Sequence, residues 1–144
     1  MSIDAADRAA VAHFLRVCGS GVVASVADDG APQAAYVGLT ALDDGTVVFD
    51  AATGSRKVGN IAERPRVAIA VTGADMTVQL EGRARVTRDE ERWRLGEEYS
   101  RRFPGSRALD AGFAVLAVSV DWVRVYDAGV HPPHVTEASW ATQR

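Results

Sequence analysis

Two Asp-Asp-Gly triplets, Asp28-Asp29-Gly30 and Asp43-Asp44-Gly45, set the strongest limit on how this chain folds. Asp-Gly pairs supply the positive φ angles of tight hairpin turns. Around them lie runs rich in Val, Ala, Thr and aromatic residues, at residues 22–27, 32–42 and 46–50. Three such runs joined by tight turns predict an antiparallel meander, because a parallel connection needs a crossover of about a dozen residues or more. In the second run, Ala35, Val37 and Leu39 fall on one face and Tyr36 and Gly38 on the other. A glycine inside a strand predicts a bulge or the close approach of a ligand.

The rest of the chain is consistent with a β protein carrying a few helices. Residues 4–17 form an amphipathic pattern with Val11, Phe14, Leu15 and Cys18 on one face, capped by Asp4 or Asp7. Gly19-Ser20-Gly21 ends it. With Ala24 these glycines match the dinucleotide pattern G-x-G-x-x-A, but that pattern needs a strand before it and a helix after it, and here the order is reversed. Residues 66–71 predict a fourth strand and residues 76–87 a fifth, kinked at Gly82. Asp89 is placed to cap a helix running to about residue 103, with Glu90 and Glu91 in its first turn and Arg101 and Arg102 in its last. Pro104-Gly105 stops that helix, and residues 113–126 form the last strand. Six short-spaced strands with few helices predict a mainly β (α+β) fold, a six-stranded antiparallel barrel. The 144 residues form a single domain: an N-terminal helix (1–20), a barrel with inserted helices (21–127) and an irregular C-terminal tail (128–144).

Composition narrows the function. The net charge of −3 argues against bulk nucleic-acid binding. No apolar run reaches the length of a membrane span, and no basic-then-apolar leader is present. The single cysteine, Cys18, cannot form an internal disulfide, which fits a cytoplasmic protein. There is no G-x-S-x-G, no H-E-x-x-H and no cysteine pair. His131 and His134 have no further His or Cys nearby to complete a metal site, so no metal is expected. What remains is the corner Gly54-Ser55-Arg56-Lys57, between the third strand and a short helical pattern that ends before Pro65. A helix start offers unpaired N–H groups and partial positive charge. A hydroxyl and two cations there suit a phosphate, although a solvated Arg-Lys pair has the same spacing. A phosphate corner without a nucleophile predicts that a bound cofactor supplies the chemistry.

Around that corner the chain resembles the flavin-binding split barrels related to pyridoxamine 5′-phosphate oxidase. The resemblance runs over roughly residues 22–127, and is carried by Gly54-Ser55-Arg56-Lys57, Asn60-Ile61, Arg64-Pro65-Arg66-Val67 and Gly82-Arg83-Ala84. It implies a homodimeric split barrel with FMN in the groove between subunits. Ser55, Arg56 and Lys57 would hold the flavin phosphate, with Ala51 and Thr53 beside them. Val37 and Gly38 would offer backbone hydrogen bonds on the second strand. Thr77 stands where the oxidases carry a cofactor-binding Gln, Gln79 lies on the same face, and Trp122 is a further flavin contact. Tyr99, Arg124 and Tyr126 are the candidate substrate residues.

Departures from the oxidase pattern shape the expected activity. Ala35 and Thr40 replace an Arg and a Lys of the second strand, Asp50-Ala51 replaces an aromatic-Thr pair, and Tyr126 replaces a substrate His. The resemblance therefore implies an FMN-dependent oxidoreductase acting on a small molecule of unknown identity. Tyr36, Thr40 and Tyr99 are the candidates for an acid or base, and no catalytic residue is assigned. A deazaflavin (coenzyme F-420)-dependent reductase of the same fold, and a non-catalytic flavin- or haem-binding protein, are the alternatives.

Overall fold

The computed structural model describes residues 2–141. Helix α1 (Arg8–Cys18) is capped by Asp7, whose carboxylate accepts from the Ala10 amide, and is closed by Gly19 at φ 72°. It leads into the expected meander. Strand β1 (Ser20–Val26) pairs with β2 (Pro32–Ala41) along its whole length, from Ser20↔Gly38 to Val26↔Pro32. Strand β3 (Val47–Ala52) pairs with β2 only from Leu39↔Phe49 to Ala41↔Val47. Helix α2 (Arg56–Glu63) follows, then β4 (Arg66–Gly73) on the other edge of β1, and its hairpin partner β5 (Met76–Val86). Helix α3 (Asp89–Arg102) leads to the long strand β6 (Phe113–Asp127).

Strand β6 closes the barrel. It pairs with β5 on one side and, through residues 113–118, with β3 on the other. The result is a closed six-stranded antiparallel barrel, a split-barrel fold, as the sequence predicts. Inward positions fill it with Val23, Leu39, Phe49, Val71, Val78, Leu80, Leu116 and Val123, all at most 1% exposed. Alternation of apolar and polar residues on β4 and β5 follows directly from the two-residue period of a strand.

Three local features differ from the sequence reading. The tail expected to be irregular contains a seventh strand, β7 (His134–Ser139), paired with the second half of β6. Its own propensity is modest; the free edge of β6 organises it, a case of tertiary pairing overriding local preference. Beyond it, Trp140 is 4% exposed, and its indole N–H donates to the Ala5 carbonyl at 2.9 Å. The Arg8 guanidinium donates to the Trp140 carbonyl at 3.0 Å, so the segment that follows β7 is fastened to the start of α1. Second, Asp89 does not cap α3: Arg88 occupies the cap position without a side-chain bond, and Asp89 is the first helical residue, at φ 53°. A short polar side chain tolerates that left-handed geometry better than most. Third, the close approach at Gly38 comes from the protein itself, from Tyr99 and Phe103 of α3.

The kink expected at Gly82 is present as a register shift: Glu81 pairs with Trp122, Gly82 with Val120, and Asp121 has no partner on β5. A Cβ on Gly82 would collide with the Ser119 carbonyl, so the backbones approach too closely there for any other residue. Gly82→Ala is therefore expected to destabilise the fold by about 1–3 kcal/mol. Gly59, inside α2 with nothing within 4 Å of a built Cβ, is the control; Gly59→Ala should stabilise by roughly 0.5–1 kcal/mol. Urea unfolding with an unchanged slope measures both, and equal effects at the two glycines would show that the bulge is not strained by a side chain.

Candidate cofactor site

The phosphate corner is built by the way β3 ends. After Ala52 the chain turns: the Thr53 amide and hydroxyl both donate to the Gly112 carbonyl, at 2.9 and 3.2 Å, and the Ser55 amide donates to the Ala52 carbonyl at 2.9 Å. Helix α2 then starts with Ser55 as its N-cap. Val58 and Ile61 sink into the barrel core, which fixes the helix across the barrel and sets the orientation of its first turn. A serine at this position ordinarily accepts a bond from the second or third helical amide. Here it makes no such bond. The Ser55 hydroxyl is buried and has no partner, alone among the described buried side-chain polar atoms. Leaving a buried hydroxyl unsatisfied costs about 1–3 kcal/mol.

Arg56 and Lys57 stand beside that hydroxyl, and neither belongs to any ion pair found among the described residues. Together with Val23, Ser25, Gln33, Ala34 and Ala35 these three residues line a groove of about 220 Å³ between the start of α2 and the β1–β2 pair. A hydroxyl that rotates freely, a guanidinium, an ammonium and the unpaired amides of a helix start all donate, and all suit an anion. The donor set thus fits a phosphate group.

The remaining predicted residues fall into separate places. Val37 is 8% exposed and faces the core. The Leu39 amide donates towards β1, to the Gly19 carbonyl at 3.0 Å, so by alternation the backbone groups of Val37 point the same way and those of Gly38 point to the opposite edge. At that edge the Gly38 carbonyl accepts from the Tyr99 hydroxyl at 3.3 Å. Tyr99 is 5% exposed and packs on Phe103 at 4.6 Å between ring centroids. Burial pushes its phenol well above the ordinary range, and the nearby Asp50 carboxylate pushes it further. It is a packing residue that fastens α3 to β2, not a group lining the groove. Thr40, 2% exposed, is likewise enclosed, whereas Tyr36 is 75% exposed and donates to the Ser20 hydroxyl at 2.6 Å. Ala51 lies in the core, and Thr53 is spent on Gly112.

Thr77, Gln79, Trp122, Arg124 and Tyr126 form a second group. Thr77 is the cross-strand partner of Tyr126 and Gln79 that of Arg124, and Trp122 follows on the same face of β6. Arg124 is also paired with Glu137 of β7, at 3.3 Å. This group sits on the outer face of the sheet, while the groove opens on the inner side of β1 and β2. In the strand order β2-β1-β4-β5, strand β4 stands between the groove strands and the β5 residues of this group. Between the two lies a surface of small apolar residues, the exposed Val22, Ala68 and Ala70 and the half-buried Ala24. Ser25 and Gln33 are groove residues that the sequence reading does not single out. The available signal was their polarity at inward-facing strand positions, next to Val23 and Ala35. Among the described residues no cluster of three metal-ligating side chains occurs, and no helix is long and apolar enough to cross a membrane.

Comparison with known proteins places the fold and the family. No curated protein matches the chain in sequence. Among solved structures, it is similar to a haem binding protein from Mycobacterium smegmatis (TM-score 0.76, 20% identity, 96% of this chain and 59% of that one). It is also similar to a pyridoxamine 5′-phosphate oxidase-related, FMN binding protein from Nostoc punctiforme (TM-score 0.65, 14% identity, 92% and 95% covered). A third similar structure is an F420 reductase (TM-score 0.63, 21% identity, 77% and 93% covered). At these identities the likeness is one of fold. The sequence pattern of the pyridoxamine 5′-phosphate oxidase family, in contrast, matches residues 8–127. That span takes in the whole barrel and the Ser55-Arg56-Lys57 corner, and the chain belongs to the pyridoxamine 5′-phosphate oxidase family.

Proposed function

We propose that this chain binds FMN through the α2 corner and acts, as a homodimer, as a small oxidoreductase. The observation that carries this is the buried, unpartnered Ser55 hydroxyl flanked by two cations outside any ion pair. Such a set is unfavourable on its own and becomes satisfied when a phosphate oxygen is present. FMN, when bound, supplies hydride transfer. The chain's own part is to clamp the phosphate with Ser55, Arg56 and Lys57 and to orient the remainder of the cofactor along the free edge of β2. The groove side chains include no His, Cys, Met or Tyr, the usual axial ligands of haem iron, which favours flavin over haem there. A deazaflavin phosphate suits the same corner, and the likeness to an F420 reductase supports that second reading.

The homodimer is inferred from the arrangement of the two groups of expected ligands. They lie on opposite faces of one chain's sheet, so one chain alone does not enclose a flavin between them. A second copy seated on the apolar surface of Val22, Ala24, Ala68 and Ala70 would bury that surface and bring in the missing half. Exposed, flat, apolar sheet faces are characteristic of interfaces.

Three outcomes are expected. The double change Arg56→Ala, Lys57→Ala should weaken FMN binding by roughly two orders of magnitude or more, since each charge-assisted contact is worth about 1.5–3 kcal/mol. A fluorescence-quenching titration with unchanged affinity would remove the phosphate assignment, and the absorption spectrum of the cofactor that co-purifies separates flavin from deazaflavin. Light scattering at micromolar concentration should give twice the chain mass of 15.3 kDa; a monomer would contradict the shared site. Oxidation of pyridoxamine 5′-phosphate should be inefficient, with kcat/KM below about 10⁴ M⁻¹s⁻¹. A second phosphate needs its own cations, whereas Thr40 is enclosed and Arg124 is engaged with Glu137. A rate in the ordinary enzyme range would overturn that expectation.

A further inference from the structure

We propose that Gln33, held in place by Asn60, is a further ligand of the cofactor phosphate and supplies an uncharged amide donor beside the two cations. This rests on the phosphate reading of the α2 corner. Asn60 lies on the buried side of α2 and is 8% exposed. Its amide nitrogen donates twice, to the Ser25 hydroxyl at 3.0 Å and to the Gln33 side-chain oxygen at 2.9 Å. Ser25 and Gln33 are direct cross-strand partners on β1 and β2, so a single helical side chain bridges two adjacent strands.

The bridge has a chemical consequence. A carboxamide has one accepting oxygen and one NH₂ group that donates. With the oxygen of Gln33 engaged by Asn60, its Nε2 group is left with no acceptor among the described residues. It is not a buried orphan either, since Ser55 alone has that status among the described residues, so it remains accessible. Gln33 lines the same groove as Ser55, Arg56 and Lys57. Ala35, one pleat along on the same face, is small and leaves that side of the groove open. An anion in the groove requires the donor end of Gln33 to face it and the oxygen to face away, which is the orientation the Asn60 bond holds. Asn60 also fastens the helix that carries Arg56 and Lys57 to the strands that carry Gln33. Both halves of the phosphate site therefore share one buried amide. Asn60 is a positioning residue, and Gln33 is the ligand.

The test compares FMN with riboflavin, which lacks the phosphate, by fluorescence-quenching titration of the purified full chain. Gln33→Leu removes the donor without adding charge. Gln33→Glu keeps an oxygen for Asn60 and turns a negative charge towards the phosphate. Gln33→Leu should weaken FMN by about tenfold or more, the worth of one hydrogen bond to a charged group, with riboflavin affinity unchanged within about twofold. Gln33→Glu should weaken FMN further than Gln33→Leu does, again sparing riboflavin. Thermal melts of both variants report whether the fold is intact. FMN affinity equal to that of the parent in Gln33→Leu, or equal losses for FMN and riboflavin, would make Gln33 a packing residue and overturn the proposal. Loss of FMN binding in the Arg56→Ala, Lys57→Ala variant while the Gln33 variants bind normally would overturn this proposal alone. No preference for FMN over riboflavin in the parent would overturn the phosphate reading and this proposal together.

Discussion

The close backbone contact between Gly82 and Ser119 is what allows one strand to serve three partners. Strand β6 must pair with β3 over its first half, with β7 over its second, and with β5 from Leu116 to Asp127. A regular strand of that length twists steadily and cannot turn from one neighbour to another without a break in register. Asp121, unpaired on β5, provides that break, and Gly82 permits it by having no side chain to meet the Ser119 carbonyl. The carbonyl of the bulged Asp121 is not wasted, because it accepts from the amides of Trp140 and Ala141. The irregularity that closes the barrel thus also anchors Trp140 and Ala141, and Trp140 in turn holds the start of α1 through Ala5 and Arg8.

Closure through β6 leaves an opening on the other side. Strand β3 gives most of its pairing to β6, from Val47↔Val118 to Ala52↔Phe113, and only three residue pairs to β2. The edge of β2 from Pro32 to Gly38 consequently has no strand partner among the described residues. Such an edge is a liability unless something covers it. Helix α3 covers one end, where Tyr99 bonds to Gly38 and lies against it. At the other end, the corner leading into α2 forms one wall of the groove and β2 the other. The groove is therefore a product of the barrel's topology, and the cations at its wall are placed there by the burial of Val58 and Ile61 one turn later.

Much of this was legible in the chain. The paired Asp-Gly turns, the alternation along β4 and β5, the kink at Gly82 and the cationic helix start are all local signals, read from neighbours in sequence. What was not legible depends on contacts between distant residues. Strand β7 has little intrinsic preference and exists because β6 has an edge to offer. Tyr99 looks like a polar residue at the end of a charged helix, and only packing against Gly38 shows that its hydroxyl is occupied. Gln33 appears as an ordinary polar strand residue until Asn60, 27 positions later, is seen to hold its oxygen. The resemblance to the oxidases supplied the outer-face group of Thr77, Gln79 and Arg124 residue by residue. It did not show that one chain keeps that group on the far face from the phosphate corner.

The distribution of satisfied and unsatisfied polar groups marks the corner more sharply than any motif does. Among the described residues every other buried side-chain polar atom is matched, as Thr87 is with the Val115 carbonyl and Asn60 with Ser25 and Gln33. A sequence selected only for stability would extend this to Ser55 by letting its hydroxyl accept a helical amide, a cap worth about 1 kcal/mol. Instead the hydroxyl is buried without a partner, next to an arginine and a lysine outside any ion pair found among the described residues. Departures from local consistency concentrate where function requires them. Here the unpartnered hydroxyl, which can donate, stands beside two cations, and those cations set the sign of the site. A chain of net charge −3 that gathers free donors and positive charge at one helix start has an anion as the natural complement of that site.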